Sequence, residues 1–586
     1  MIANKSWVAK PAPDEEIYQS LKSQIQTGDI LLKLIAQRNI TSFSEAKSYF
    51  MPSIDDLHSP FLMKDMDKAV TLIHEAIGNN KKIVVYGDYD VDGTTAVALV
   101  YSFFSKIYSN LLYYIPDRFL EGYGISSKGI DWAAENGASI IIALDCGIKS
   151  VGKVEYARDK GIEFVICDHH MPGDMIPPAA AVLNPKRLDC EYPYKELSGC
   201  GIGYKLISAY AEKYEITWDP DEYLGLVAVS NAADIVHMTG ENRILTYFGL
   251  LKINTNPRPG YKALIELAGV KSKMTVNDLV FRIGPRINAA GRIASGTLAV
   301  EMLIEESYEN AVKLAERINQ NNTDRQSVDS TITKEALEMI EQLDENETRK
   351  TTVLFNKNWH KGVIGIVASR LIEKYYRPTI LLTESNGMAV GSGRSVPGFN
   401  LYDAIKECEE YLEQWGGHQA AAGLSLSLDN IEKFAEKFEE SVSKSITKEM
   451  LTPILEYDLE IDIDDVTATF CRSIERFGPF GPESMKPVFV SHGLTNYYKP
   501  KLVGNNHLQL SLRSGEGKLY KGIAFGLGHF YEEMLKSSRF DICYTIEPNE
   551  YKGDYIVSIN IKDIHFPEAQ EQNVPEVHQF THLPAQ

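Results

Sequence analysis

The sequence has few cysteines and no long apolar segment. Seven cysteines are scattered over 586 residues, and no two form a Cys-x-x-Cys pair, so neither a disulfide framework nor a thiolate zinc site is indicated. No run of about 18 apolar residues, the length needed to cross a bilayer, is present. The first residues, MIANKSWVAKPAPDEE, lack the apolar core of a secretion signal. We therefore expect no membrane association and a cytoplasmic location.

Basic residues are scarce relative to acidic ones. Lys and Arg total 60 against 80 Asp and Glu, and the formal charge is −20. This charge by itself argues weakly against a polyanionic partner such as nucleic acid. Carboxylates that hold divalent cations count as negative in such a sum, however, although the bound ions reverse the local field. The local arrangement of the acidic residues, and not the net charge, must therefore decide whether nucleic acid is a partner.

The chain does contain the strand–helix alternation of an α/β protein. Between residues 83 and 170 the apolar runs IVVYGD, LLYYIPD, SIIIALD and EFVICD alternate with amphipathic stretches, which predicts a doubly wound parallel sheet. A long helical stretch follows, then a second α/β region, and short alternating strands after residue 452 predict an OB-like β-barrel. The predicted parts are an N-terminal segment (1–45), a first α/β domain (46–300), a connecting helix (301–345), a second α/β domain (346–450), the barrel (451–566) and a flexible tail (567–586).

Acidic side chains follow three of the four predicted strands. Asp88, Asp145 and Asp168 stand at these positions, Asp90 lies two residues after the first, and Asp234 lies in VSNAADIV. The carboxyl ends of parallel strands meet at one crevice. A single Asp-x-Asp is more often a turn or a helix cap. Several carboxylates buried after apolar strands are costly, however, unless they share a cation, so the pattern predicts a shared cation site.

Two histidines, His169 and His170, follow Asp168 directly. A lone histidine is more often a hydrogen-bonded structural residue, but a pair directly after a strand-end carboxylate favours a metal site. Carboxylates and imidazole without thiolate suit Mn²⁺ or Mg²⁺, and Mn²⁺ is favoured because histidine is a poor ligand for magnesium. We expect two such cations, which would activate water and stabilise a leaving oxygen.

The motifs resemble those of a known superfamily. GDYDVDGTTA, ALDCG, CDHH and NAADIV resemble, in order, the four motifs of the DHH phosphoesterase superfamily, and WHKGVIGIVASR, GSGRS and GGHQAAAG resemble its DHH-associated domain. IPDRFLEGYG and GPRINAAGRI are similar to the RecJ family of single-strand-specific 5′ exonucleases. The resemblance covers about residues 45 to 565. It implies a DHH catalytic domain, a DHH-associated substrate-binding domain and an OB-like nucleic-acid-binding domain.

The resemblance also implies which residues hold the metals. Asp88 is expected on one ion, Asp90, His169 and Asp234 on the other, and Asp145 is expected to bridge both.

Three further residues are expected to act in catalysis. His170 would face water or the scissile phosphate, Asp168 would orient a histidine, and Arg286 would approach the scissile or an adjacent phosphate. The position of Asp168 beside the two histidines is the reason for its supporting role.

GSGRS is predicted to be a glycine-rich turn, which by itself is more often an ordinary surface loop but can offer backbone amides, hydroxyls and a guanidinium to a phosphate. The resemblance implies that Ser392 and Arg394 of this segment, with Arg118, hold a terminal 5′ phosphate. Arg292 would bind a backbone phosphate or, equally, pair with an acidic residue of the crevice. The expected contacts to the DNA backbone are Asn288, Arg292, Gly417 and His418.

The resemblance implies a monomeric 5′ to 3′ exonuclease that releases 5′ mononucleotides from single-stranded DNA and acts in DNA repair and recombination. Single-strand-binding protein and a RecQ-type helicase are candidate partners. One alternative is a nanoRNase or cyclic-dinucleotide phosphodiesterase, whose core enzymes lack a region equivalent to residues 452–565. A second alternative is a non-catalytic DNA-binding scaffold, against which the intact acidic and histidine positions argue.

Overall fold

The chain folds into two compact units. Of the described residues, the first contains Phe43–Pro453 and Phe477–Met485, and the second contains Lys5–Ser42, Ile454–Arg476 and those between 486 and 567. Residues 1–4 of the predicted N-terminal segment and 568–586 of the predicted tail lie outside the described residues. The computed structural model describes residues 5–293, 295–343, 349–551 and 554–567. Within these ranges, no helix combines the length and the apolarity needed to cross a membrane.

The N-terminal elements belong to the second unit. They are β1 (Ser6–Ala9), α1 (Glu15–Gln24) and α2 (Asp29–Ala36). Asp14 begins α1 by accepting hydrogen bonds from the backbone N–H groups of the first turn. Strand β1 pairs in parallel with the strand Ile454–Tyr457, so the N-terminal segment is tied to residues more than 400 positions away.

The first unit begins with a parallel sheet flanked by helices. Its elements are α3 (Phe43–Phe50), α4 (Met66–Gly78), β2 (Lys82–Gly87), α5 (Val91–Phe104), β3 (Leu111–Tyr114), α6 (Ser127–Glu135), β4 (Ala138–Leu144), α7 (Val151–Asp159), β5 (Glu163–Cys167) and β6 (Ala181–Leu183). The strand order is β3-β2-β4-β5-β6, and all neighbours are parallel. The predicted doubly wound sheet is confirmed. Strand β6 was not predicted, because three residues are too few to show a pattern.

Strand β2 shows why this sheet is apolar on both faces. Ile83 and Val85 pack into the core on one face, and Val84 and Tyr86 pack into the core on the other. Successive side chains of a strand point to opposite faces, so a parallel sheet covered by helices on both sides requires a continuous apolar run. Polar chemistry is thereby confined to the strand ends.

A helical region follows the sheet. Its helices are α8 (Gly199–Lys213), α9 (Asp221–Ala233), α10 (Gly240–Thr255), α11 (Pro259–Leu267), α12 (Val276–Asp278), α13 (Gly284–Ile293), α14 (Gly296–Ile304) and α15 (Tyr308–Leu343). A π-helical turn, Leu279–Ile283, joins α12 to α13. The predicted connecting helix corresponds to α15, which is 36 residues long.

The second α/β region of this unit contains a mixed sheet. Its elements are β7 (Thr352–Phe355), α16 (Ile364–Tyr375), β8 (Thr379–Ser385), β9 (Met388–Arg394), α17 (Leu401–Lys406), β10 (Gln414–Gly417), β11 (Ala421–Leu426) and α18 (Ile431–Ser445). The strand order is β10-β11-β9-β8-β7. Only the β7–β8 pair is parallel.

The prediction that GSGRS forms a turn is wrong. Gly391–Arg394 lie on β9, the central strand of this sheet. A Cβ at Gly391 would lie 2.5 Å from the Leu382 side chain, and one at Gly393 would lie 3.0 Å from the Leu401 side chain. The glycines therefore make room for apolar neighbours rather than for a change of chain direction.

The second unit contains a closed barrel. Its remaining elements are β12 (Ile454–Tyr457), β13 (Leu459–Glu460), α19 (Ala468–Glu475), β14 (Phe489–Asn496), β15 (Lys501–Val503), β16 (His507–Arg513), β17 (Leu519–Ala524), α20 (Tyr531–Lys536), β18 (Phe540–Tyr551) and β19 (Asp554–His565). Strand β14 pairs with both β18 and β16, so β14, β18, β19, β17 and β16 form a ring. Five strands closed in this way are the architecture of an OB-fold.

Candidate metal centre and phosphate-binding site

The strand-end carboxylates meet at the switch point of the first sheet. Strand β2 has β3 on one side and β4 on the other, and ligands bind at such a point beyond the carboxyl ends of the strands. Asp88 follows β2 directly, Asp145 follows β4, and Asp168 follows β5. The sheet thus brings together carboxylates that lie up to 80 positions apart in the sequence.

His169 lies among these carboxylates. Its Nε2 is 3.1 Å from Asp145 Oδ1, 3.5 Å from Asp234 Oδ2 and 3.6 Å from Asp92 Oδ2. The ligand atoms of Asp145, His169 and His170 lie within 4.8 Å of one another, as do those of Asp92, His169 and Asp234. These acidic and histidine groups are positioned to bind divalent cations.

Unpartnered buried atoms support a metal at this place. Asp88 Oδ2, Asp145 Oδ1 and His169 Nε2 are buried, and none has a hydrogen-bond partner within the described part of the chain. The other oxygen of Asp88 accepts a hydrogen bond from the Gly124 N–H at 3.1 Å. Buried polar atoms almost always have a partner. Because carboxylate oxygens and imidazole nitrogens are ligands of Mn²⁺ and Mg²⁺, the residues fit such an ion.

The pKa values of the clustered carboxylates and of His169 also support a bound cation. Burial, and then repulsion from a neighbouring carboxylate, raises the pKa of Asp88 to about 8. Burial, and then the charge of Asp92, raises the pKa of Asp234 to about 8 and that of Asp145 well above its usual range. Burial also lowers the pKa of His169. Ionised carboxylates are therefore costly here, and cations bound among them would stabilise the ionised form.

Asp92 belongs to this cluster, and the sequence analysis missed it. Its Oδ2 accepts a hydrogen bond from the Gly199 N–H at 2.6 Å, and its Oδ1 accepts hydrogen bonds from the Cys200 N–H at 2.7 Å and the Ser230 hydroxyl at 2.6 Å. The first two donors begin α8, and the serine lies on α9. The carboxylate therefore ties α5 to both helices. The segment DYDVD has a third aspartate at the same two-residue spacing as Asp88 and Asp90, and this spacing could have identified Asp92.

Backbone contacts hold Asp90 and Asp145 in place. Asp90 caps α5, because its Oδ1 accepts a hydrogen bond from the Gly93 N–H at 3.0 Å. Asp145 has a φ of 60°, in the left-handed region, and its N–H donates to the Cys167 carbonyl at 2.9 Å. A Cβ at Gly199 would lie 2.6 Å from the Asp145 Cβ, so only glycine allows α8 to begin this close to the cluster.

His170 is held at both ring nitrogens. Asp168 Oδ1 lies 2.7 Å from Nδ1, and the Tyr123 hydroxyl lies 3.1 Å from Nε2. Tyr123 also donates to the Asp145 carbonyl at 3.1 Å, so it accepts from Nε2. Burial lowers the pKa of His170, but the hydrogen bond and charge of Asp168 outweigh burial and raise it overall. Asp168 thus orients a histidine, and Tyr123 is a second residue that the sequence analysis missed.

The predicted phosphate-binding residues come together in the first unit. Arg118 and Ser392 line a cavity of about 800 Å³. Arg394 donates to the Ser392 hydroxyl at 3.0 Å. A Cβ at Gly365 would lie 2.8 Å from the Ser392 hydroxyl and 2.9 Å from Arg394 Nη2, so the start of α16 lies directly against both groups. A helix N-terminus next to a guanidinium favours an anion.

Arg292 adds to this positive charge. Burial, and then repulsion from other arginines that include Arg118 and Arg394, lowers the pKa of Arg292 to about 10. Its Nη1 donates to the Gly362 carbonyl at 3.1 Å, and no ion pair with a carboxylate is present within the described ranges. Of the two predicted arrangements of Arg292, the structure therefore does not show the ion pair with an acidic residue. Mutually repelling guanidinium groups favour a bound anion.

The other predicted backbone contacts lie on different elements. Arg286 and Asn288 are half-buried on α13. Arg286 donates through Nε to Asn319 of α15 at 3.0 Å and through Nη1 to the Arg282 carbonyl, so it is anchored to the connecting helix.

Gly417 and His418 lie at the β10–β11 hairpin. Gly417 has a φ of 152°, and a Cβ there would lie 2.4 Å from the Ala421 carbonyl oxygen. The His418 N–H donates to the same carbonyl at 2.8 Å, and the residue is exposed. The hairpin therefore presents an imidazole to solvent.

The barrel of the second unit carries exposed aromatic residues. Tyr497 and Tyr498 are 50% and 63% exposed, and the Arg513 guanidinium lies 5.6 Å from the ring centre of Tyr497. Phe525 is 59% exposed and contacts His507, with ring centres 5.2 Å apart. Exposed rings beside cations can stack with bases.

Comparison with known families identifies the class of protein. Residues 82–230 match the DHH family N-terminal domain, residues 347–444 match the DHHA1 domain, and residues 457–563 match the RecJ OB domain. The fold and the site therefore define a DHH protein with an added OB domain.

Comparison with individual proteins narrows this class. The chain is 34% identical to the single-stranded-DNA-specific exonuclease RecJ of Bacillus subtilis, over 96% of this chain and 71% of the relative. It is 32% identical to the protein of the same name from Escherichia coli, over 91% of this chain and 95% of the relative. The chain belongs to the RecJ family.

Two solved structures are similar to this chain. RecJ from Thermus thermophilus in complex with Mn²⁺ has a TM-score of 0.82 over 97% of this chain and 80% of that chain; at 24% identity it shows the fold. An exonuclease RecJ bound to manganese has a TM-score of 0.59 and 30% identity over 66% of this chain and 96% of that chain. The predicted architecture is thereby confirmed.

Proposed function

We propose that this protein is a metal-dependent exonuclease that degrades single-stranded DNA from its 5′ end and releases 5′ mononucleotides. One observation carries the proposal: the cluster of candidate cation ligands and the cavity lined by Arg118 and Ser392 meet at one residue. Tyr89 stands between Asp88 and Asp90 in the chain, lines the cavity, and has its ring centre 4.9 Å from the Arg118 guanidinium. The names of the relatives, single-stranded-DNA-specific exonuclease, support the substrate.

The cluster is proposed to hold two divalent cations. Asp88 would bind one, Asp90, His169 and Asp234 the other, and Asp145 both. When bound, the ions supply a nucleophile at neutral pH and stabilise the charge that develops on the phosphate. The chain's part is to hold these ligands at fixed positions. Asp92 contributes through its three hydrogen bonds to α8 and α9, and we propose Mn²⁺ as the preferred ion because imidazole is among the ligands.

His170 is proposed to act next to this cluster. Burial opposes a charged ring, but the hydrogen bond and charge of Asp168 raise the pKa of His170 overall, which favours the protonated ring. It is 42% exposed at the side chain, so a phosphate could reach it. In this position it would stabilise a phosphate oxygen or donate a proton to a leaving oxygen.

Selection of a 5′ end is proposed to come from the cavity that Arg118 and Ser392 line, together with Arg394, which contacts Ser392. Arg118, Ser392 and Arg394 would bind a terminal phosphate through charge-assisted hydrogen bonds. Arg292 and Asn288 would bind the next phosphates, and Arg286 would approach the scissile or an adjacent phosphate. Gly417 and His418 would contact the backbone at the hairpin. A terminal phosphate bound at a fixed distance from the cluster would place only a bond near the chain end at the cations. Cleavage restricted to the chain end is the action of an exonuclease.

The barrel is proposed to bind the strand beyond the cleaved end. Tyr497, Tyr498 and Arg513 would stack with bases, which are accessible only in single strands. This region distinguishes the proposal from a nanoRNase or cyclic-dinucleotide phosphodiesterase, which would have no need of it.

The test is digestion, with Mn²⁺, of a long single strand labelled at either end or internally. Its duplex and the Asp145→Ala variant serve as controls. Mononucleotides released from the 5′ end of the single strand only, and lost in the variant, are the expected result. Cleavage confined to dinucleotides would favour the phosphodiesterase alternative, and intact DNA with no bound Mn²⁺ would favour a scaffold.

The resemblance also leads us to propose a monomeric, cytoplasmic protein that acts in repair and recombination with single-strand-binding protein and a RecQ-type helicase. Pull-down with each purified partner tests the proposed partners.

We further propose the domain limits 46–300 for the DHH domain, 301–345 for the connecting helix, 346–450 for the DHH-associated domain and 451–566 for the OB domain. Limited proteolysis tests these limits.

A further inference from the structure

One loop of the first unit, between β3 and α6, contacts the cavity that is proposed to bind the terminal phosphate. Arg118 and Phe119 of this loop line the cavity, and the Arg118 guanidinium lies 4.9 Å from the ring centre of Tyr89. The other two residues proposed for the terminal phosphate, Ser392 and Arg394, lie on β9. Arg118 is therefore the part of the phosphate site that this loop carries.

The same loop contacts the metal cluster a few residues further on. The Tyr123 hydroxyl donates to the Asp145 carbonyl at 3.1 Å and lies 3.1 Å from His170 Nε2. The next N–H in the chain, that of Gly124, donates to Asp88 Oδ1 at 3.1 Å. The phosphate site and the cluster are thus connected through one short stretch of loop.

Glu121 lies between these two contacts and closes the loop. Its Oε1 accepts a hydrogen bond from the Asp117 N–H at 2.9 Å, and its Oε2 accepts one from the Ser126 hydroxyl at 2.5 Å. The Tyr114 hydroxyl, at the end of β3, lies 3.1 Å and 3.0 Å from the two oxygens and donates to the same carboxylate. One carboxylate therefore joins both ends of the loop to the sheet.

Hydrogen bonds, rather than an ion pair, hold the carboxylate of Glu121. Its side chain is 3% exposed, whereas Lys128 Nζ lies 3.9 Å away on a side chain that is 63% exposed. An exposed ammonium group contributes little to such a pair, while hydrogen bonds to a charged acceptor are strong. The hydrogen bonds therefore keep Glu121 in one position.

Core packing contributes little to the loop near Glu121. Leu120, directly before it, is 77% exposed, and Tyr123, two residues after it, is 53% exposed. A segment with few buried apolar contacts opens easily unless hydrogen bonds hold it. The position of Arg118 relative to the cluster therefore depends on the hydrogen bonds of Glu121.

We propose that Glu121 is a positioning residue that sets the distance between the terminal-phosphate site and the metal cluster, and thereby the length of the released product. This inference rests on the proposed exonuclease function. A terminal phosphate bound at Arg118 places the first phosphodiester bond at the cluster only while Arg118 keeps its position. When the hydrogen bonds of Glu121 are lost, the second bond also reaches the cluster, and dinucleotides are released beside mononucleotides.

The test compares the full-length wild type with four variants: Glu121→Ala, Glu121→Gln, Tyr114→Phe and Glu135→Ala. Alanine removes every hydrogen bond of the carboxylate. Glutamine keeps its size, and its amide can accept from the Asp117 N–H and donate to the Ser126 hydroxyl. Tyr114→Phe removes one donor to Glu121 and keeps the ring. Glu135, which is exposed at the end of the neighbouring helix α6, gives the matched control.

Each protein is mixed, with Mn²⁺, with a single strand that carries a radioactive 5′ phosphate, and the first labelled products are separated by length at early times. The wild type, Glu121→Gln and Glu135→Ala are expected to release mononucleotides only. Glu121→Ala is expected to slow the first cleavage by roughly 10- to 100-fold, the effect of misplaced reacting groups, and to release dinucleotides as well. Tyr114→Phe is expected to release a smaller share of dinucleotides.

Mononucleotides alone from a folded Glu121→Ala variant overturn the inference and leave the proposed function intact, because Glu121 would then support only the fold of the loop. If thermal unfolding shows that this variant does not fold, mononucleotides alone from Tyr114→Phe overturn the inference. Dinucleotides from Glu121→Gln or Glu135→Ala also overturn it, since product length would then not depend on these hydrogen bonds. A wild type that releases nothing from the 5′ end overturns the proposed function and, with it, the inference.

Discussion

Asp168 accepts a hydrogen bond from Nδ1 of His170 at 2.7 Å, and its second oxygen accepts the Ile148 N–H at 2.8 Å. We expect Asp168→Asn to lower kcat on single-stranded DNA by roughly 10- to 100-fold, the usual cost of losing a partner that orients a site residue. The asparagine amide has the size of the carboxylate, but its NH₂ group cannot accept a hydrogen bond, so one of the two contacts is lost. Steady-state kinetics measures the effect. The comparison variant is Tyr123→Phe, which loses the two hydrogen bonds of the hydroxyl, to His170 and to the Asp145 carbonyl, but keeps Asp168 and should cost less; the reverse order would contradict this assignment.

Asp92→Asn tests the support of the cluster. The amide can replace only one of the oxygens that accept from Gly199, Cys200 and Ser230, and one buried donor is left unpaired at a cost of about 1–3 kcal/mol. We expect a lower thermal midpoint and weaker Mn²⁺ binding, measured by calorimetry. Mn²⁺ affinity equal to that of the wild type would show that Asp92 supports the fold alone.

The cavity lined by Arg118 and Ser392 predicts discrimination between chain ends. Arg394→Lys keeps the charge but loses the guanidinium geometry that reaches Ser392. We expect it to raise KM for 5′-phosphorylated strands by roughly tenfold while KM for 5′-hydroxyl strands stays unchanged. Lys361→Met, at a residue that lines the cavity with Ser392, is the comparison variant for a loss of charge. An equal rise for both ends would place the phosphate elsewhere.

A buried ion pair predicts a large effect on stability. Lys205 and Glu241 are each 2% exposed at the side chain, and Lys205 Nζ lies 2.6 Å from Glu241 Oε1. Lys205→Met leaves the carboxylate buried without its cation, and we expect the free energy of unfolding to fall by about 3–5 kcal/mol. Urea unfolding measures it. Lys213→Met removes a solvent-exposed pair with Asp67 and should have a much smaller effect, because water and salt screen such pairs. Equal losses in the two variants would contradict this assignment.

The barrel is expected to have a small pH-dependent contribution to stability from His492. The hydrogen bond to Asp541, at 2.9 Å, raises the pKa of His492 above 6.5. Since the folded form binds the proton more tightly, this contribution is complete below pH 6.5 and is lost as the pH rises through the raised pKa. Thermal midpoints measured across this range for the wild type and His492→Gln test it. A wild-type curve parallel to that of the variant would refute the assignment.

Most of the fold, and the grouping of carboxylates and histidines that are positioned to bind cations, could be predicted from the sequence, because their signals are local. An apolar run followed by a carboxylate, as at Asp88 and Asp145, reports a buried strand and its end within a few residues. Since the carboxyl ends of parallel strands share one edge, the cluster follows from these short patterns. The family resemblance then added roles that spacing alone does not determine.

Tertiary structure alone decided the contacts between distant segments. The hydrogen bonds of Asp92 reach Cys200 and Ser230, more than 100 residues away. Gly391–Arg394 lie on a strand, where the glycines leave space for the side chains of leucines that are close only in the fold. Likewise, β1 pairs with β12 across the length of the chain. Local propensity carries no information about such partners, because they are selected by which surfaces the packed elements bring together.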